Sequence, residues 1–268
     1  MNFRVDIIVV GDSKSGHDIL DKLASSKVAP KVAFISQAFK STTTHDYANV
    51  KYFRDEVMYV SYRHRLFCCY MKNGDNVFST HLVIASGLEY APLLINNEQV
   101  PCVFNNIDDV PKSAKDSPAL VICNQDSDAK FALEVAKKYK QVYLCTGTAE
   151  LTKSISASMI KKLDKAENLA VLPNTSIRKV LSDNGILQKV ELDNYSEINC
   201  SAIYVKTTAT PAIDFVPKKI LAREEDYPVV AENCESTLVP GCFAAGNCLK
   251  KYTKVMEQKL IDTILKDF

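Results

Sequence analysis

The chain has 268 residues, with 33 Lys+Arg against 32 Asp+Glu, and is 47% hydrophobic and 24% charged. That make-up is ordinary for a globular protein and excludes disorder, collagen-like repeats and long coiled coils. A net charge of +1 provides no overall field toward a polyanion or an anionic membrane, so nucleic acid is not indicated as a partner. At ~100 to 200 residues per domain the length predicts one large or two modest domains. Arg4 and Asp6 interrupt the first apolar run, and no stretch reaches the ~18 uncharged apolar residues of a membrane span. A soluble, cytoplasmic protein without membrane attachment is the expectation.

In chain order, residues 3–10 (FRVDIIVV) predict a strand closed by Gly11, and residues 17–24 place Ile19, Leu20 and Leu23 on one helical face. Residues 31–36 supply the next strand and complete a βαβ unit. Residues 57–62, 66–71 and 76–78, with Asn73-Gly74 as a turn, predict an antiparallel meander, and residues 81–85 a buried strand ending at Ser86-Gly87. A connection with Pro and Asn spans residues 92–117 and is the best domain boundary. Beyond it the pattern restarts with strand 119–123, helix 128–139 and strand 141–145, a second βαβ unit. A helix over 156–165 follows, then strands at 169–172, 177–182, 188–192 and 202–207, with Asp183-Asn184-Gly185 as a hairpin turn. A strand at 227–231, the segment STLVPGCFAAGNC and a terminal helix over 253–266 end the pattern.

Nine cysteines, at 68, 69, 102, 123, 145, 200, 234, 242 and 248, contain no C-x-x-C spacing, and their number is odd. They read as small buried hydrophobes. With four scattered histidines, no metal site is expected.

Several segments resemble thioredoxin reductase, in the same order along nearly the whole chain. IIVVGDSKSGHDI is similar to its first Gly-rich turn, FISQAFKSTTTHDY to the region after its second strand, and LVIASGLEYAPL to the strand ending in alanine-threonine-glycine, with Ser86 in the threonine place. STLVPGCFAAGNC resembles the C-terminal flavin-binding segment, whose glycine-aspartate is Gly246-Asn247 here. The resemblance and the periodicity together predict an α/β fold of two Rossmann-like (FAD/NAD(P)-binding) three-layer domains, the second inserted into the first. The first is expected over residues 1–95 plus 216–268, the second over 113–215.

The departures from the family carry the functional reading. The first turn should read G-x-G-x-x-G, and this chain has Gly11, Ser13 and Gly16, with Lys14 as an added cation. Two readings stand: a flavin-binding turn, or a packing turn that keeps the fold without ligand. The family's ribose-binding acid is not evident at Ser36-Gln37. In the second turn, residues 124–128 contain no glycine and two carboxylates, Asp126 and Asp128, which suit a helix start but repel a pyrophosphate. Residues 145–148 lack the arginines that hold the NADP 2′-phosphate, so NADPH is not expected. Cys102 is alone where a redox C-x-x-C would be sought, and no catalytic residue is assigned. The 8 glycines, about 3% of the chain against an average near 7%, are the trace of lost cofactor loops.

The leading expectation is therefore a degenerate relative of thioredoxin reductase, a pseudoenzyme that acts by binding. Its partner would be a protein or large assembly, or a nucleotide, and the family homodimer is a further expectation. The alternative is a flavin-dependent oxidoreductase using a donor other than NADPH. In either case FAD, held weakly or absent, would sit among Gly11, Ser13, Lys14, Gly16, Gly246 and Asn247.

Overall fold

The computed structural model describes residues 1–37, 47–107, 116–147, 155–206 and 209–268. The threonines at 42–44, Thr148 and the end of the strand foreseen to 207 lie outside these. The chain divides into two compact units, one of Met1–Glu89 with Ala209–Phe268 and one of Tyr90–Thr208.

The first unit opens with β1 (Asn2–Arg4) and β2 (Ile7–Val10), then α1 (Lys14–Ala24), β3 (Val32–Ser36), β4 (Val50–Arg54), β5 (Val57–Arg63), β6 (Leu66–Met71), β7 (Asn76–Ser79) and β8 (His81–Ile84). The single strand expected over residues 3–10 is two. The chain changes sheets at Val5-Asp6, where the Asp6 carboxylate accepts the Lys31 N–H at 2.7 Å. β2 is central in an all-parallel sheet ordered Cys242–Ala244, β8, β2, β3, β4. A parallel sheet is covered on both faces and its central strands are accordingly buried: all four residues of β2 and all four of β8, the latter opening with His81, are buried. β1, β7, β6 and β5 form a second sheet in that order, with β1 parallel to β7 and the other pairs antiparallel.

One apolar cluster joins these layers. It takes Ile19, Leu20 and Leu23 from α1, Leu260, Ile261 and Ile264 from the C-terminal helix Lys254–Leu265, and Val60, Phe67 and Val77 from the meander. β4 escaped sequence reading because its alternation, VKYFR, is short. The strand expected over 227–231 is shorter, Tyr227–Pro228 paired with Arg223–Glu224. Pro228 has no N–H to extend the ladder.

The second unit has a five-stranded parallel sheet ordered Val103–Phe104, Ala202–Val205, Ala119–Ile122, Val142–Cys145, Leu169–Leu172. Alternation along the strands separates its two faces. Ala119 and Val121 pack with α2 (Asp126–Ala136) and helix Ala157–Leu163, while Leu120 packs with Leu187, Val190 and Leu192 of an antiparallel meander. That meander is Ile177–Asp183, Ile186–Leu192 and Glu197–Asn199, and its first turn has the positive φ at Asn184 and Gly185 that a tight two-residue hairpin requires. Both units thus have helices, parallel sheet and meander in three layers.

Candidate functional site

The first turn leaves β2 at Val10 and enters α1 at Lys14. Gly11 sits at φ +103°, and a Cβ there would lie 2.5 Å from the Ala85 carbonyl oxygen and from the Ser86 Cα. Gly16 is buried, and a Cβ on it would lie 2.3 Å from the Gly11 oxygen. These two glycines let strand, helix and β8 approach as closely as they do. Any side chain at either position would move backbone.

Ser13 stands where the resemblance would have a glycine, and it has a definite task. With extended backbone it caps α1, its Oγ accepting the Gly16 N–H at 3.2 Å. One of the amides of this helix start, that of Gly16, is therefore occupied by the chain itself. On the other side stands Gly246, at φ +79°, first residue of a short 3-10 turn after strand Cys242–Ala244. A Cβ on Gly246 would meet the Ser15 Oγ at 2.9 Å and its Cβ at 3.0 Å. The fold thus gathers Gly11, Ser13, Gly16 and Gly246 at one end of the parallel sheet, with Ser15 filling the space over Gly246. Lys14 and Asn247 are exposed.

Two residues of this end were not singled out for a role by the sequence. Ser15 closes on Gly246, and nothing in the local pattern distinguishes it from any helix-start serine. Ser86, against the Gly11 backbone, has its Oγ buried without a hydrogen-bond partner among the described residues. A buried hydroxyl without a partner is costly, of order 1 to 3 kcal/mol.

In the second unit, the turn entering α2 is closed by its own carboxylates. Asp128 is buried, and its Oδ2 accepts the Asn124 N–H at 3.0 Å while Oδ1 accepts the Ser127 hydroxyl at 3.2 Å. Asp126 accepts the Ser156 N–H at 2.7 Å, and that bond holds its carboxyl below the usual range. At the next strand end buried Thr146 accepts the Asn174 N–H through Oγ1, and the Gly147 N–H goes to the Thr175 carbonyl.

All nine cysteines are unpaired. Cys102 is half-buried at φ +56° and donates to the Gly185 carbonyl at 3.3 Å. The Cys145 and Cys200 thiols are raised to about 12 each, chiefly by burial, with smaller contributions from Asp193 on Cys145 and from Cys145 and Cys102 on Cys200. Such thiols hold their protons at neutral pH and are poor nucleophiles. Among the described residues no group of three His, Cys, Asp or Glu side chains is placed to hold a metal, and no helix is long and apolar enough to cross a membrane.

Residues 39–246 match the pyridine nucleotide-disulphide oxidoreductase family profile. The chain belongs to that family. The matched stretch begins after the first turn and ends at Gly246. Pyridine nucleotide-disulphide oxidoreductases bind FAD and NAD(P), which makes FAD a plausible ligand of this member. Among its relatives are the thioredoxin reductases of Debaryomyces hansenii, 23% identical over 51% of this chain and 44% of that protein, and of Pneumocystis jirovecii, 26% identical over 49% and 41%. The match therefore spans less than half the length of these relatives. Among solved structures, thioredoxin reductase from Streptococcus pyogenes superposes with a TM-score of 0.65 at 13% identity, covering 100% of both chains. That of T. acidophilum gives 0.66 at 15%, covering 98% of both. At such identity the likeness concerns the fold, and it is the fold of two Rossmann-like FAD/NAD(P) domains.

At the start of α1 the Ser13 hydroxyl holds the Gly16 N–H and Ser15 lies against Gly246, and at the start of α2 the Asp128 carboxylate holds the Asn124 N–H.

Proposed function

We propose that this family member acts by binding rather than by flavin-to-disulfide electron transfer, as a scaffold descended from a thioredoxin reductase-like enzyme. One observation carries the reading. In each unit one backbone N–H of the βα turn already has an oxygen of the chain as its acceptor: Ser13 Oγ for Gly16, Asp128 Oδ2 for Asn124. At those two amides a phosphate must compete with a bond the chain makes at no translational cost. Cys102 belongs to no C-x-x-C, and burial keeps the nearby Cys200 and Cys145 thiols protonated, which disfavours a dithiol cycle. The partner is a protein or assembly, and a second copy of the chain is one candidate. Nine free thiols suit a reducing compartment such as the cytoplasm.

The flavin reading has one observation in its favour, the unpartnered Ser86 Oγ beside Gly11. A bound flavin nucleotide would give that hydroxyl a partner. The visible spectrum separates the two readings, because oxidised flavin absorbs where no protein group does. Protein that leaves gel filtration colourless, and that gives no saturable heat with NADPH, is expected. Stoichiometric flavin retained through gel filtration would overturn the binding-only reading.

A further inference from the structure

On the outward side of the β5–β6 hairpin, Tyr59, Ser61, Tyr62, Arg63 and Tyr70 line a cavity of about 290 Å³ together with Lys219 from the returning C-terminal segment. We propose that this pocket binds one nucleotide unit, the base on the Tyr59–Tyr70 wall and the phosphate between Arg63 and Lys219. The site lies within the first unit and does not depend on whether the turn at Gly11 holds a flavin.

The wall comes first. Tyr59 and Tyr70 are cross-strand partners with ring centroids 6.1 Å apart, yet they remain 44% and 41% exposed, a large aromatic surface left to water. Tyr62 is turned onto Phe67, 4.7 Å between centroids, and adds a fixed third ring. Ser61 Oγ donates to the Tyr70 hydroxyl at 3.3 Å, which holds that ring and leaves a polar edge beside it. Flat aromatic surface with hydroxyls at its margin suits a nucleobase, whose π-face stacks and whose edge hydrogen-bonds.

Charge selects the anion. Arg63 and Lys219 have no ion-pair partner among the described residues, and no carboxylate lines the cavity. Asp214, on the same returning segment, is already held by Arg223 at 2.8 Å. Arg65 at the hairpin tip adds a further positive charge, where it and His64, both at positive φ, turn the chain tightly between Arg63 and Leu66. A planar guanidinium and an ammonium lining one pocket can together hold a phosphate. The frame is preformed, because the β5 edge is tied to the returning segment by the Val60 N–H on the Phe215 carbonyl at 2.9 Å. The volume, at the low end of ligand pockets, admits one base with its phosphate and not a dinucleotide.

The unit can come from a free nucleotide or from a single strand, and one experiment covers both. Fluorescence anisotropy of a short labelled single-stranded RNA is followed on the full chain, with AMP and inorganic phosphate as competitors. Saturable binding is expected, displaced by AMP if the free nucleotide is the ligand and by unlabelled strand alone if a polymer is. Tyr70→Ala should weaken it about 10- to 100-fold, the scale of one lost stacking contact. Tyr59→Ala, which removes no hydrogen bond, should do likewise if the Tyr70 variant folds poorly, and thermal melts check both. For the strand, Lys219→Ala should lower the slope of log affinity against log salt by about 0.7. The proposal fails if no binding occurs at millimolar AMP or micromolar RNA. It fails equally if both tyrosine variants bind as the parent does, or if phosphate competes as well as AMP. None of these outcomes bears on the flavin spectrum, so failure here and failure of the binding-scaffold reading are distinguishable.

Discussion

Glu257 is the strongest electrostatic commitment in the first unit, and Glu257→Gln tests it. The residue is fully buried on the C-terminal helix, where its carboxylate accepts Lys22 Nζ of α1 at 2.9 Å, Lys254 Nζ at 3.1 Å and the Tyr252 hydroxyl at 3.2 Å. Lys254 also reaches Asp18 of α1 at 2.7 Å, so the group fastens the last helix to the helix that follows the first turn. Burial alone would raise the carboxyl pKa, but the hydrogen bonds and charges of Lys22 and Lys254 hold it below the ordinary value. Removing one partner of a buried pair costs ~3 to 5 kcal/mol when the other charge stays buried. Here the lysine side chains are 42% and 70% exposed and return to water, and glutamine keeps the shape, so a loss of about 2 kcal/mol is expected. At about 2 to 4 °C per kcal/mol that is a fall of roughly 4 to 8 °C in Tm, read by thermal melting at neutral pH. The sign with pH follows from the lowered folded pKa. The stabilisation is complete above the unfolded carboxyl value near ~4.3 and disappears as pH falls through the folded value. The gap between parent and variant should therefore close in acid. A gap that is absent at neutral pH, or that keeps its size under acid conditions where both proteins remain folded, would refute the account.

Ser13→Gly should cost only a few tenths of a kcal/mol as a cap while freeing the Gly16 amide, so flavin retention measured by absorbance should rise; unchanged or lower retention would show that the cap is not what opposes the phosphate. Asp128→Ala removes the acceptor of the Asn124 N–H, at a cost of about 1 kcal/mol because Asn124 is exposed and water can replace the bond, and urea unfolding measures it. Alkylation of the native protein followed by peptide mapping should mark Cys102 first. Cys145, Cys200, Cys234 and Cys242, whose thiols burial raises to about 12 each, should react only on unfolding.

The strands were legible where apolar runs are short and bounded, as at Ile7–Val10 and Ala119–Ile122, and so were the two glycines whose absent Cβ lets Gly16 press on Gly11. The role of Ser13 was not. Read along the sequence it is a glycine that is missing, and only the α1 geometry reveals a helix cap. The contact of Ser15 with Gly246 joins opposite ends of the chain, and no local periodicity encodes it. The same holds for the aromatic pocket. Each tyrosine looks like an ordinary strand residue, and Lys219 belongs to an unremarkable loop until Phe215 is tied to the β5 edge. Long-range assembly, rather than weak local propensity, is what hid the functional surfaces.

The split of the first unit governs how the protein comes into being. Its parallel sheet is completed by Cys242–Ala244 pairing with Leu82–Ile84, across the whole of the intervening unit. During synthesis the β8 edge therefore stays open until residues 242–244 have emerged, while the inserted unit has all its parallel strands once Ala202–Val205 have been made, 37 residues earlier. Contacts of such sequence separation close slowly and expose a strand edge meanwhile. Ribosome-stalled chains ending before residue 242 should accordingly contain a protease-resistant inserted unit and a cleavable N-terminal one. Expression at low temperature or with chaperones should benefit the order in which the two mature.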